Sequence, residues 1–285
     1  MIDPASVDWS AARRASYRLR QTFRYEYAQP ITDLNHRLVV IPPAQFGDQR
    51  RTYHDILVEL ADVRRQERAD RFGNVVVDFF AREVTESIEF VAEVDVERAA
   101  AVPNLIPGGW PPEDWLLDPS TLTAADDRIQ AAAEELSAGA EYGLELADSV
   151  NDWVYGSLTY KHDVTGVRTT AAEALALGSG VCQDYAHLML AVCRAAGLPS
   201  RYVSGHMLGQ GGTHAWVEVV LPATGGRDAV AWAFDPTHAS RVGLGYLTIA
   251  VGRDYADVAP TSGSYRSGGK GRLTTSKKVT LTGLE

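Results

Sequence analysis

The chain has 285 residues, 45% hydrophobic and 22% charged, an ordinary balance with enough apolar material for a sizeable core. Its formal net charge of −10 argues against nucleic acid or an anionic membrane as the main partner, since both favour basic surfaces. No uncharged apolar stretch approaches the roughly 20 residues of a membrane helix, and Met1-Ile2-Asp3-Pro4 shows no basic region followed by an apolar run, so neither a span nor a secretory signal is expected.

From residue 15 to 102 the chain reads as β structure. Tyr17 to Tyr25 alternates large apolar with polar residues, the period of a half-buried strand. His54–Leu60, Val75–Phe80 and Ser87–Val96 are further predicted strands, with Asp70-Arg71-Phe72-Gly73-Asn74 as a turn. Short strands separated by turns imply a small antiparallel sandwich or barrel. Prolines and glycines cluster at 103–119, the expected linker.

Residues 120–260 change to mixed helix and strand, so the fold class is α+β. Helices are predicted from about Asp126 to Ala138 and from Leu144 to Tyr155. A third begins at the capping box Thr170-Ala171-Ala172-Glu173 and ends at Gly178-Ser179-Gly180. From Cys182 to Ala196 apolar residues recur at helical spacing until Gly197 and Pro199 stop them. A strand at Arg201–Gly205 and a hairpin of His214–Leu221 with Ala229–Asp235 follow. The tail, 261–285, looks flexible by its Gly and Ser content, with a last strand near Lys278–Thr282.

Cys182 stands at the start of an amphipathic helix, where free N–H groups and the helix dipole favour a thiolate and can steady an oxyanion. Cys193, on the same apolar face, reads as a packed core thiol. The two lie roughly 16 Å apart along the helix, too far for a disulfide, and unpaired thiols suit a reducing cytoplasm. Pairing Leu221 with Asp228 in the hairpin sets His214 directly opposite Asp235, where a carboxylate can orient an imidazole. A slip of one residue would separate them onto opposite faces.

His187 reads as a packing or surface residue, and His206 as lining a cleft or ending a strand. His238 is a substrate-side candidate. A zinc site from Cys182, His206 and His214 can be drawn, but it lacks the close paired spacings of metal motifs. Without a phosphate-binding glycine loop no nucleotide is indicated, and no cofactor is expected.

These segments resemble those of bacterial transglutaminase-like proteins. Gly178-Ser179-Gly180-Val181-Cys182-Gln183-Asp184-Tyr185 resembles their nucleophile segment, and Arg201–Gly205 their next strand. Thr213-His214-Ala215-Trp216 resembles the histidine segment, and Phe234-Asp235-Pro236-Thr237 the aspartate segment. Val251–Pro260 recurs after that core, and Arg71-Phe72-Gly73-Asn74 marks the β domain that often precedes it.

The resemblance implies a papain-like core with Cys182, His214 and Asp235 as a catalytic triad. It also implies an upstream aromatic at the oxyanion, for which Tyr160 and Trp153 are candidates, Trp153 reading better as a core residue. Gln183 and His238 complete the oxyanion and substrate candidates. The expected activity is thiol acyl transfer on a peptide or amide bond, with hydrolysis favoured over transfer to an amine. The alternatives are a transglutaminase proper, a non-catalytic peptide-binding protein on the same fold, and a zinc hydrolase.

Overall fold

A computed structural model describes residues 6–9, 11–60, 62–100, 104–209, 212–266 and 269–285. Met1–Pro4, the 102/103 boundary and Gly268 therefore lie outside the described residues. The first half holds β1 (Arg14–Tyr27), β2 (Ile31–Ile41), β3 (Gln45–Phe46), β4 (Gln49–Val58), β5 (Arg64–Ala69), β6 (Val75–Val84), β7 (Ser87–Ala99) and β8 (Asn104–Ile106). Next come α1 (Asp127–Gly139), α2 (Leu144–Ser157), β9 (Thr159–Tyr160), α3 (Ala171–Leu177), β10 (Ser179–Gly180) and α4 (Cys182–Ala195). The chain closes with β11 (Ser200–Met207), β12 (His214–Pro222), β13 (Ala229–Asp235), β14 (Ser240–Arg241), β15 (Tyr246–Gly252), α5 (Tyr255–Val258), β16 (Thr261–Arg266) and β17 (Gly271–Leu284).

The N-terminal half is a sandwich. One sheet runs β17-β1-β7-β4-β3 and the other β16-β2-β6-β5. Along β1, Tyr17, Leu19 and Phe23 are buried while Arg18 and Arg20 are exposed, as the alternation requires. Phe79 of β6 meets Phe90 of β7 at 4.9 Å between ring centroids, and His36 of β2 stacks on Phe90 at 4.6 Å, joining the sheets.

Three strands escape the sequence pattern for three reasons. In β2, His36 occupies an inward position between Leu34 and Leu38, so the apolar alternation is broken. β5 is exposed along its whole length and joins β6 at the sheet edge through its backbone and an Arg68–Asp78 ion pair, a charged edge strand that buries no apolar face. β15 is buried at every position, so it has no alternation at all.

The expected last strand at Lys278–Thr282 lies within β17, but the flexible reading of the rest of the tail needs correction. β16 pairs with β2 and β17 with β1 over most of its length, so the chain returns from the core to complete both sheets. Backbone pairing needs little from the side chains, which is why a Gly/Ser/Thr-rich segment serves. The segment expected as a plain linker is likewise built in. β8 pairs with β13, while Trp110, Trp115 and Leu116 pack on Val220, Ala229 and Ala231.

The second half sets the helices against the sheet β14-β13-β12-β11-β15. Asp126 caps α1 by accepting from Ile129 N–H at 3.0 Å, and Thr170 with Glu173 forms the expected capping box on α3. α4 is buried from Asp184 to Arg194 and packs against α1, α2, α3 and β12. Two amide side chains fasten the halves together. Asn74 donates to Val251 O at 2.7 Å and accepts from Val251 N–H at 2.8 Å; Gln49 does the same to Thr248 at 2.7 and 3.0 Å. Both act as surrogate strand backbone along the outer edge of β15.

Candidate active site

Cys182 is the first residue of α4, half-buried at its N-terminus. Asp184, one turn in, is buried and bends back to accept from Val181 N–H at 2.7 Å and from Thr165 Oγ1 at 2.6 Å. Gly180 makes this approach feasible, because a Cβ there would lie 2.5 Å from an Asp184 carboxylate oxygen. With Val181 satisfied by Asp184, the N–H groups of Cys182 and Gln183 open the helix without an intrahelical acceptor. β9 pairs in parallel with β10, Tyr160 opposite Gly180, which brings Tyr160 beside the cysteine. Burial and the charge of Cys182 both push the Tyr160 hydroxyl up.

His214 opens β12 and Asp235 closes β13. The register differs from the expected one by two residues: Leu221 faces Val230 rather than Asp228, and Ala223 N–H closes the hairpin on Asp228 O at 2.9 Å. The turn is tighter than its Pro-Ala-Thr-Gly-Gly-Arg-Asp composition suggests. His214 and Asp235 are thus diagonal neighbours rather than directly opposed. A displacement of two preserves the face, and side chains of this length span the diagonal.

The imidazole Nε2 and Asp235 Oδ2 meet at 2.7 Å. The same oxygen accepts from Tyr246 O–H at 2.8 Å and lies 2.8 Å from His238 Nδ1, while Oδ1 accepts from Thr237 N–H at 2.9 Å. Burial alone would raise the Asp235 carboxyl. Hydrogen bonds and charge from His214, with His238 and Tyr246, outweigh it and hold the group at about 2. Burial opposes charge on His214 as well, yet hydrogen bonds to Asp235 and Cys182 push it up to about 9. With Nε2 held by Asp235, Nδ1 is the nitrogen left to face the thiol.

The cleft, about 1020 Å³, is lined by Cys182, Gln183, His214, His238 and Tyr160, together with Tyr155, Tyr185, Tyr202 and Tyr255. No Asp, Glu, Lys or Arg lines it among the described residues. Gln183 reaches Gly166 O at 3.4 Å. His238 stands at the rim with its side chain 36% exposed. Trp153 instead packs against the core. Cys193 is fully buried, which pushes its thiol up to about 12. His187 is also buried, accepting from Tyr255 N–H at 3.2 Å, and burial lowers it to about 4.

The zinc set drawn from the sequence does not suit a metal. His206 Nδ1 lies 3.0 Å from the Lys277 ammonium, and Cys182, His206 and His214 do not bring their ligand atoms together as a group among the described residues. His214, Asp235 and His238 do bring ligand atoms within 4.8 Å of one another, but their meeting point is one shared carboxylate oxygen. Tyr246 and Lys277 were not legible as site residues. Tyr246 opens a strand buried at every position and reads as core, and Lys277 lies in the tail.

Comparison with known proteins identifies a family and a fold. A family model described as the transglutaminase-like superfamily matches residues 130–234, and one for the bacterial transglutaminase-like N-terminal region matches 17–97. An uncharacterized Mycobacterium leprae protein is 31% identical over 219 residues, covering 70% of this chain and 76% of that protein. An uncharacterized Mycobacterium tuberculosis protein is 28% identical over 274 residues, covering 87% and 86%. A crystal structure of a candidate cysteine protease from Cytophaga hutchinsonii superposes with a TM-score of 0.77 at 21% identity. It covers 96% of this chain and 93% of that one, and so shares the fold.

Proposed function

Because the chain belongs to the transglutaminase-like superfamily, we propose that it is a thiol-dependent acyl-transfer enzyme that hydrolyses peptide or amide bonds through a thioester on Cys182. The observation that carries this reading is the Asp235-to-His214 hydrogen bond at 2.7 Å, made on Nε2, which leaves Nδ1 for a cysteine at a helix N-terminus in a cleft.

The chemistry follows from the geometry. Cys182 Sγ, its proton held by His214, attacks the amide carbonyl carbon, and the carbonyl electrons move onto oxygen. In this reading the Cys182 N–H and the Tyr160 hydroxyl, which lines the same cleft, donate to that oxyanion. Collapse breaks the C–N bond, and His214 delivers its proton to the leaving amine. Water, deprotonated by His214, then attacks the thioester carbon and releases the acid and the thiol. Asp235 carries no proton in this cycle. It fixes the imidazole tautomer and stabilises its charged form.

Hydrolysis is preferred over transfer because Tyr155 and Tyr160 on the cleft wall are half exposed, so water reaches the thioester site. The test is a peptide library incubated with and without a primary amine, read by mass spectrometry of peptides and protein. New carboxyl termini and an acyl adduct on Cys182 support hydrolysis; amide products with the added amine assign the transferase instead. No turnover and no adduct at any peptide would assign a binding protein.

A further inference from the structure

Lys277 comes from β17, on the sandwich, yet its ammonium reaches the catalytic half. It donates to Gly212 O and lies 3.0 Å from His206 Nδ1. Gly212 and Thr213 line the Cys182 cleft immediately before His214, so the ammonium, bonded to Gly212 O on an exposed side, lies against the edge of that cleft, close enough to feel the charge of Cys182. An ammonium has three N–H donors. Two point at Gly212 O and His206, and neither partner is anionic, since burial holds His206 neutral. The third has no acceptor among the described residues, and Lys277 forms no ion pair among them. A protein of net charge −10 thus keeps a half-buried lysine without a carboxylate among the described residues, next to a cleft wall that carries no Asp, Glu, Lys or Arg among them. Burial lowers Lys277 to about 8, so it is still charged at pH 7.

We propose that Lys277 is the anion-recognising residue of this site, and that the substrate carries a carboxylate beside its scissile amide. The proposal rests on the thiol reading of Cys182. The carboxylate could be the free C-terminus of a peptide or an acidic side chain flanking the bond. In either case it would take the third ammonium donor and orient the carbonyl over Cys182. A half-buried cation with one spare donor and no counter-charge gains from an anion that arrives. That gain becomes discrimination between acidic and neutral substrates.

The test uses two alkylating agents that differ only in this feature. Iodoacetate bears a carboxylate where iodoacetamide bears a neutral amide, and both report on Cys182. Their rate ratio divides out the intrinsic reactivity of the thiol. At pH 7 the iodoacetate-to-iodoacetamide ratio should fall roughly fivefold to tenfold in Lys277→Met, the scale of one nearby charge in a partly buried site. Lys277→Arg, which keeps the charge, should retain most of the ratio and controls for folding. An equal ratio in wild type and Lys277→Met overturns the proposal. Slow alkylation by both reagents in wild type counts instead against the thiol reading.

Peptide protection of Cys182 against iodoacetamide identifies the source of the carboxylate. N-acetyl-trialanine as free acid is compared with its C-terminal amide, and amide-capped N-acetyl-Ala-Glu-Ala with its Gln counterpart. Stronger protection by the free acid, lost in Lys277→Met, assigns the C-terminus; stronger protection by the Glu peptide assigns the side chain. Equal protection within both pairs overturns the anionic-substrate claim.

Discussion

Asn74, from the sandwich, closes both ends of its side-chain amide on the backbone of Val251 in β15, at 2.7 and 2.8 Å. Fully buried, it replaces a strand that β15 lacks on its outer side. β15 also carries Tyr246, whose hydroxyl reaches Asp235. The joint between the halves is therefore one strand away from the candidate triad.

Asn74→Ala leaves a buried N–H and a buried C=O of Val251 without partners, each costing about 1–3 kcal/mol. Urea unfolding at pH 7 should show a loss of about 2–4 kcal/mol. A loss below about 0.5 kcal/mol would mean that water or a relaxed backbone replaces the amide.

Tyr246→Phe removes one of the groups that hold the ionised Asp235 oxygen. A buried hydrogen bond to a charged group contributes about 1.5–3 kcal/mol, so urea unfolding at pH 7 should drop by that amount. The difference between wild type and variant should shrink as pH approaches 2, where the carboxylate begins to gain a proton. A difference that stays constant down to pH 2 would place the effect in packing instead.

The His214 imidazole should titrate near 9, followed by nitrogen-15 NMR of the labelled ring. In Cys182→Ala the midpoint should fall, because both the hydrogen bond and the charge of Cys182 raise it. A folded pKa raised above the unfolded 6.5 gives stability that is complete below 6.5 and lost as pH rises through about 9. The depressed Asp235 gives stability present above about 3.8 and lost as pH falls through about 2. A wild-type midpoint at or below 6.5 would contradict the arrangement.

Much of the site was legible because its residues sit at element ends with strong local signals. Gly178-Ser179-Gly180 stops one helix and Cys182 starts the next, and the structure keeps both boundaries. The His214–Asp235 meeting survived an error in the hairpin register because parity decides which face a side chain takes, and the error was even. Tyr160 was named from the resemblance, and its pairing opposite Gly180 supplied the placement.

What was hidden is long-range or unpatterned. β5 shows only charge because an edge strand buries nothing, and β15 shows no alternation because both faces are covered. Lys277 reaches His206 across 71 positions of sequence, a relation no local period records. The returning strands β16 and β17 depend on edges left open at the start of the chain, so their pairing can be seen only once the sandwich is assembled.

The most direct test of a His214-activated Cys182 is the rate of iodoacetamide labelling at pH 7, with each thiol mapped by mass spectrometry. Cys182 should label at least about tenfold faster than a free thiol, slow in His214→Ala, and react while the buried Cys193 stays unmodified. Labelling of Cys182 no faster than a free thiol, or unchanged in His214→Ala, would contradict the assignment of these two residues as nucleophile and base.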